Sequence, residues 1–227
     1  MKSTFCHLCY NFRIFLYNRI IRGMLMERVS SIEQYGKKVS FTKGQRIYQA
    51  GEEVKNVYYI KEGLVKLADD AKDGHSVTIA LLHPGQLFGF IDRLNGEVEH
   101  TRYAVALTDT SLIAIPAELF LQHRQEHSIL EQSLVFTLIK QLSEAHELIY
   151  VHSKMTVEER LRWLLKKLAK EVNGTLTVDI PLTHEEISFM LGCSRQKITM
   201  YLNKWKKEGI IEYERGSIQL INIDHPI

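Results

Sequence analysis

The chain has 227 residues, 45% of them hydrophobic and 25% charged, with a formal net charge of +2. That composition belongs to a folded globular chain and excludes a disordered one. The near balance of charge excludes a basic coat protein, so any nucleic-acid affinity must come from a local cluster. Three cysteines, Cys6, Cys9 and Cys193, are too few for a disulfide framework, and their odd number suits a reducing cytoplasm. No apolar run reaches the roughly 18 residues that span a bilayer, so no membrane partner is expected.

Residues 1–30 form an N-terminal extension. Its first 26 residues, "MKSTFCHLCYNFRIFLYNRIIRGMLM", are aromatic and basic, with Arg13, Arg19 and Arg22 interrupting the apolar residues. A secretory signal needs an uninterrupted apolar core and a small-residue cleavage site, and neither is present. Two readings stand: a membrane-surface or partner-binding helix, or a stretch ahead of a start at Met24 or Met26, the second being the expectation.

In the unit spanning residues 31–125, the stretch from Val39 to Ile115 reads as short strands cut by glycine turns. "RIYQAGE", "NVYYIKEGLVKLA", "SVTIALLHPGQLFG" and "YAVALTDTSLIAIP" are rich in Val, Ile, Tyr and Leu. Gly44, Gly51, Gly63, Gly74, Gly85 and Gly89 punctuate them. This spacing predicts a compact antiparallel barrel or sandwich and, lacking βαβ alternation, excludes a Rossmann fold.

At Pro116 the period changes. "PAELFLQHRQEH" predicts a short helix, and a long helix follows from about Ile129 to Lys154, within a segment 126–155. Val135, Leu138, Leu142, Ala145, Ile149 and His152 are spaced 3, 4, 3, 4, 3, an a/d seam of about three heptads. The stripe either covers the barrel or pairs with a second helix. Leu134, Ile139 and Leu148 flank it and supply apolar surface for both, which favours a dimer seam.

Residues 156–227 form the last unit. "MTVEERLRWLLKKLAKEV" predicts a helix with a Thr156/Glu159 capping box and a buried face of Leu161, Leu164, Leu165 and Leu168. "NGTLTVDIPL" reads as a turn and a short strand. Thr183 and Glu186 make a second capping box opening "THEEISFML", Gly192 ends that helix, and Ser194 caps the next. There Ile198, Tyr201, Leu202 and Trp205 share one side; Gln196, Thr199, Met200 and Asn203 share the other. From Cys193 through Lys207 stand five Lys or Arg and no acid. "EGIIEYERGSIQLIN" predicts a hairpin with a tight turn at Glu214–Gly216. Helix, turn, helix and hairpin make a winged helix suited to the major groove, rather than a plain helical hairpin with a solvated face. The expected DNA-binding residues are Thr183, Ser194, Arg195, Gln196, Lys197, Thr199, Met200, Asn203 and Lys204.

The expected fold class is therefore α+β: an N-terminal antiparallel β-roll, a long dimerisation helix and a C-terminal winged helix–turn–helix. In that order the elements resemble the Crp/Fnr superfamily of bacterial transcription regulators over about residues 38–222. "KGQRIYQAGEEVKNVYYIKEGLVKL" and "HPGQLFG" look like its cyclic-nucleotide-binding-type β-roll, and "LTHEEISFMLGCSRQKITMYLNKWKKEGII" like its DNA-binding motif. The resemblance implies a homodimer on a near-palindromic, double-stranded operator with half-sites one helical turn apart. It also implies contact with RNA polymerase, through residues that no motif identifies.

The sequence departs from the family at both sites. In the reading helix Arg195 matches a family Arg. Gln196 stands for a Glu, and Met200 for a second Arg. In cyclic-AMP-responsive members a Glu after the Phe/Ile–Gly step binds the ribose, an Arg–Ser pair holds the phosphate, and a Thr–Ser pair meets adenine. Here Phe90 follows Gly89, His100–Thr101 replaces Arg–Ser, and Ala145–His146 replaces Thr–Ser. Cyclic AMP is accordingly not expected, and no other cofactor is assigned. Arg102 is a shifted candidate anion partner.

Oxygen-sensing members use four cysteines. Cys6 and Cys9 are weak candidate ligands, leaving a mixed site with His7 or a cluster between subunits. His75, His83, His100, His146 and His152 offer no evident haem ligand pair. No Gly-x-Ser-x-Gly, Walker loop or His-Glu-x-x-His occurs, so no enzyme is expected. A regulator answering another ligand or a redox cue, or needing no effector, is the leading reading. A redox or ligand sensor, holding an N-terminal cluster or an unidentified small-molecule effector or cofactor in the β-roll, is its rival.

Overall fold

The computed structural model describes residues 31–70, 76–123, 128–180, 182–214 and 216–223. Cys6, His7, Cys9 and His75 lie outside them. The β-rich part comprises β1 (Lys37–Phe41), β2 (Arg46–Tyr48), β3 (Asn56–Glu62), β4 (Val65–Asp70), β5 (Ser76–Leu82), β6 (Leu87–Phe88), β7 (Tyr103–Ala106) and β8 (Thr110–Pro116). They form two antiparallel four-stranded sheets, in orders β1-β8-β3-β6 and β2-β7-β4-β5. A four-residue helix, α1 (Ile91–Leu94), follows β6. It was not expected, because four residues are too short to display a helical period.

Alternation along β3 explains the layering. Ile60 and Tyr58 join the interior between the sheets with Val65, Leu67, Phe88 and Leu112. Val57 and Tyr59 point the other way and join Ile113, Ile115 and Phe90 in a second core. That core is closed by Phe120 of α2 (Ala117–His123) and by Leu130 and Leu134 of α3 (Ser128–Lys154). Buried Thr137 sets the register of α3. Its hydroxyl donates to the Ser133 carbonyl at 2.8 Å and accepts the Leu87 amide at 2.9 Å.

Another face of α3 turns away from the roll. Val135, Leu138, Leu142 and Ile149 are exposed, from 44% at Leu138 to 66% at Ile149, and Ile139 and Tyr150 extend the stripe. Among the described residues nothing buries this stripe.

The C-terminal unit comprises α4 (Val157–Leu168), β9 (Lys170–Val172), β10 (Thr175–Val178), α5 (His184–Leu191), α6 (Arg195–Lys207), β11 (Ile211–Glu214) and β12 (Ser217–Leu220). Helix α4 stops earlier than expected. Ala169 turns extended, and Lys170–Val172 pairs with β10 through Asn173 and Gly174 at φ 51° and 80°. An Asn-Gly pair with both φ positive matches the twist of a tight hairpin. The wing strands join this hairpin in one sheet, ordered β11-β12-β10-β9. Leu161, Leu165, Ile187, Leu191, Ile198, Leu202, Trp205 and Ile218 close a single core.

Where the units meet, His83 lies in the β5–β6 turn. Burial, and then the ammonium groups of Lys140, Lys167 and Lys170, push its imidazole from 6.5 down to about 4. Burial also lowers His100 and His184. Each is a depressed base, so below pH 6.5 the unfolded chain binds protons that the folded chain does not. Stability is therefore fully present above pH 6.5 and is lost as pH falls from 6.5 towards 4. Urea denaturation across that range should show the loss, and His83→Gln should flatten it.

Candidate nucleic-acid interface

Helices α5 and α6 are shaped by their ends. Thr183 caps α5: its hydroxyl accepts the Glu186 amide at 3.1 Å, and Glu186 Oε2 accepts the Thr183 amide at 2.8 Å. Gly192, at φ 58° and ψ 48°, supplies the left-handed turn that L side chains resist. Ser194 caps α6 by accepting the Lys197 amide at 3.4 Å.

The expected division of α6 is observed. Ile198, Leu202 and Trp205 are buried, and Tyr201 is half-buried. Arg195, Gln196, Lys197, Met200 and Asn203 are exposed, as are Thr183 and Ser194. An arginine, an amide and a thioether thus share one uncovered face, with no acid on the helix.

Two expected members are tied into the fold. Lys204 is half-buried, its ammonium 3.6 Å from Glu158 of α4, which also accepts the Trp205 indole N–H at 3.0 Å. Thr199 donates to the Arg195 carbonyl at 3.1 Å, and its oxygen lies 2.9 Å from His184 Nδ1. Because the hydroxyl proton is already committed, Nδ1–H must donate. His184 Nε2, 2.8 Å from the Tyr213 hydroxyl, then accepts from it. Burial, and then Arg195, lower the His184 pKa and favour this neutral form. A chain of hydrogen bonds therefore runs from the wing, through α5, to the first turn of the exposed helix.

Sequence reasoning missed His184 and Tyr213. They are 29 residues apart, and no periodicity links them. The one available hint was a histidine directly after an N-cap, where a cation is disfavoured by the helix dipole and a neutral ring is needed.

Helix α5 is held at both ends. At its C-terminus His152 Nε2 lies 3.1 Å from the Met190 carbonyl, and Arg160 donates to the Leu191 carbonyl at 2.6 Å. Arg160 also lies 3.0 Å from His152 Nδ1. His152, expected on the seam, thus also joins α3 to α5. At the other end Glu186 accepts a hydrogen bond from Lys66 of β4.

In the β-roll, the positions expected to correspond to an effector pocket are divided: Gly89 adjoins His100, whereas Phe90 turns into a core and Ala145 and His146 lie on α3. Phe90 is buried in the core between roll and helices, its ring 6.5 Å from Phe120. Gly89 adopts φ 78° beside it. His100 is 3% exposed and stacks on Tyr48 at 3.6 Å and 9°. Its Nδ1 is 3.5 Å from Asp92, which accepts the Thr101 hydroxyl at 2.6 Å. Burial lowers the His100 pKa against the opposing pull of Asp92, so the ring is neutral at pH 7. Ala145 and His146 are exposed on α3. A neutral stacked imidazole and a buried phenyl ring do not fit the phosphate and ribose of a cyclic nucleotide.

Cys193 is half-buried in the α5–α6 turn, and burial raises its thiol pKa. Among the described residues no group of three or more His, Cys, Asp or Glu is placed to hold a metal ion, and no helix is long and apolar enough to cross a membrane.

Residues 38–127 match the family model of the cyclic nucleotide-binding domain, and residues 159–225 that of the Crp-like helix-turn-helix domain. The cyclic AMP receptor protein of Thermus thermophilus is 27% identical over 201 residues, 88% of this chain and 91% of that protein. The global nitrogen regulator of Synechococcus elongatus is 25% identical over 187 residues, 80% of this chain and 84% of that protein. The crystal structure of a CRP/FNR-family transcriptional regulator, also from Thermus thermophilus, superposes with a TM-score of 0.67 at 27% identity. It covers 82% of this chain and 94% of its own.

Tyr213→Phe removes the hydroxyl that His184 Nε2 accepts from. It should lower stability by about 1 kcal/mol, the usual worth of one such bond, read by urea denaturation.

Proposed function

The chain belongs to the Crp/Fnr family of transcription regulators, and from that premise we propose that it acts as a cytoplasmic homodimer on a near-palindromic operator without cyclic AMP. It is a regulator with a DNA-binding helix–turn–helix domain, not an enzyme. The observation that carries the proposal is the uncovered, acid-free face of α6, held on a capped and gripped α5.

In this reading Arg195 addresses guanine O6 and N7. Gln196, which donates and accepts, addresses adenine N6 and N7, where a Glu would only accept. Met200, 53% exposed, offers apolar contact to a thymine methyl. Lys197, Thr183 and Ser194 stand at the rim for phosphate, and Asn203 extends the reading face. Thr199 and Lys204 contribute position rather than free donors, since both are bonded within the domain. RNA polymerase is a further partner of the complex, through residues not assigned.

The dimer reading is supported by the exposed stripe Val135, Leu138, Leu142, Ala145 and Ile149, a row of apolar side chains that a second copy of α3 would bury. Effector independence from cyclic AMP is supported by Phe90, His100, Ala145 and His146, none of which offers the polar contacts a cyclic nucleotide requires. The rival reading is a sensor that uses a cluster at Cys6 and Cys9, which lie outside the described residues, or an unidentified small-molecule effector in the β-roll. Iron and acid-labile sulfide assays on anaerobically purified protein decide the first, and bound mass in the purified protein decides the second.

Selection from random duplex DNA tests the proposal. The wild type should enrich one near-palindromic site, with or without cyclic AMP, and Gln196→Glu should change the preferred base at one position per half-site. Identical sites for both proteins would refute the role of Gln196. Separately, Leu142→Asp buries a charge in the seam. It should give a monomer in sedimentation and lose about 100-fold or more in affinity for the two-half-site duplex, as loss of bivalency does.

A further inference from the structure

Lysine is rarely buried unless paired. Lys66 is 7% exposed, in a strand whose neighbours Val65 and Leu67 fill the roll interior. The alternation of β4 turns Lys66 to the opposite face of its sheet, beside its cross-strand partner Leu81 of β5. That face meets the C-terminal unit: Leu81 packs against its core, and the Lys66 ammonium pairs with Glu186 of α5. The two side chains are only 9% and 14% exposed. Burial opposes a charged Glu186. The hydrogen bond from Lys66 and the Thr183 amide outweigh it and hold the carboxyl below its usual range.

We propose that Lys66 is a positioning residue for DNA reading: its buried pair with Glu186 mounts α5 on the β-roll and so sets the angle at which α6 presents Arg195, Gln196 and Met200. The proposal rests on the DNA-reading function given above. Removing either partner leaves a buried charge uncompensated, so the pair discriminates sharply between docked and undocked arrangements. It acts where leverage is greatest. Glu186 is also the N3 residue of the α5 capping box, so the same carboxylate fixes the helix end and its place on the roll. With Arg160 and His152 holding the other end, α5 has two fixed points, and a rod held at two points keeps its direction. Lys66 itself is too buried to reach a phosphate. The docked arrangement leaves the reading face of α6 uncovered.

The test compares the full chain, Lys66→Met, and the double variant Lys66→Met/Glu186→Gln. In the double variant no unpaired charge is buried, and Gln at N3 keeps the capping box. Each is titrated with the duplex selected by the wild type, at several salt concentrations. Amide hydrogen exchange of β5 and α5 is followed without DNA. Both variants should bind about tenfold more weakly, as a coupling lost between distant elements predicts. Their dependence of log K on log salt should be unchanged, and exchange at β5 and α5 should be faster. The double variant guards against simple misfolding and should keep a cooperative transition near that of the wild type. Wild-type affinity in the double variant overturns the proposal. So does unchanged exchange, or a salt slope shallower by about one, the sign of a lost phosphate contact. Failure of the DNA-reading function looks different: the wild type itself then enriches no sequence, and both proposals fall together.

Discussion

The reading head depends on one constraint, the holding of a short helix at its two ends. Helix α5 has eight residues and, like any helix, leaves amides free at its start and carbonyls free at its end. Here those free groups are where other elements attach. At the start, Glu186 closes the cap and pairs with Lys66 of the roll. At the end, Arg160 of α4 bonds the Leu191 carbonyl and His152 of α3 lies against that of Met190. Each structural unit thus reaches the same helix. Since α6 follows after one left-handed glycine, the direction of the reading face is inherited from this mount.

The β-roll supports the mount through a packed interior. Its two cores are filled by its own aromatic side chains. Phe90 faces Phe120 on the helical side, and His100 lies flat on Tyr48 on the other. Burial keeps His100 neutral, so the position offers no fixed positive charge. A close-packed interior has low compressibility and transmits strain. Both α3 and Lys66 are carried on this packed roll.

Much of the fold was legible along the chain. Strand alternation, glycine spacing, two capping boxes and the 3–4 rhythm of α3 each follow from short-range rules, and the elements appeared where those rules put them. The exception at α4 is instructive. The helical pattern through Lys170–Val172 was overridden by an Asn-Gly turn whose positive φ angles make a hairpin the better partner for those residues. The exposed side of α6 was also legible, because a helix with one apolar face has only one other face to offer. What could not be read was the use of individual polar atoms. Thr199 and Lys204 look identical in sequence to free groups, yet one is committed to Arg195 and His184 and the other to Glu158.

By itself, then, the sequence determined most of the elements, their order, the capped helix starts and the face of α6 that stays open. All of these rest on neighbours within about one helical turn or one strand pair. Only the tertiary structure decided how the units are joined: Lys66 to Glu186 across 120 residues, His184 to Tyr213 across 29, and His152 to the Met190 carbonyl across 38. No local period encodes such pairs. They form because folding buries polar groups that then must find a partner, and which partner lies in reach is set by how whole sheets and helices pack.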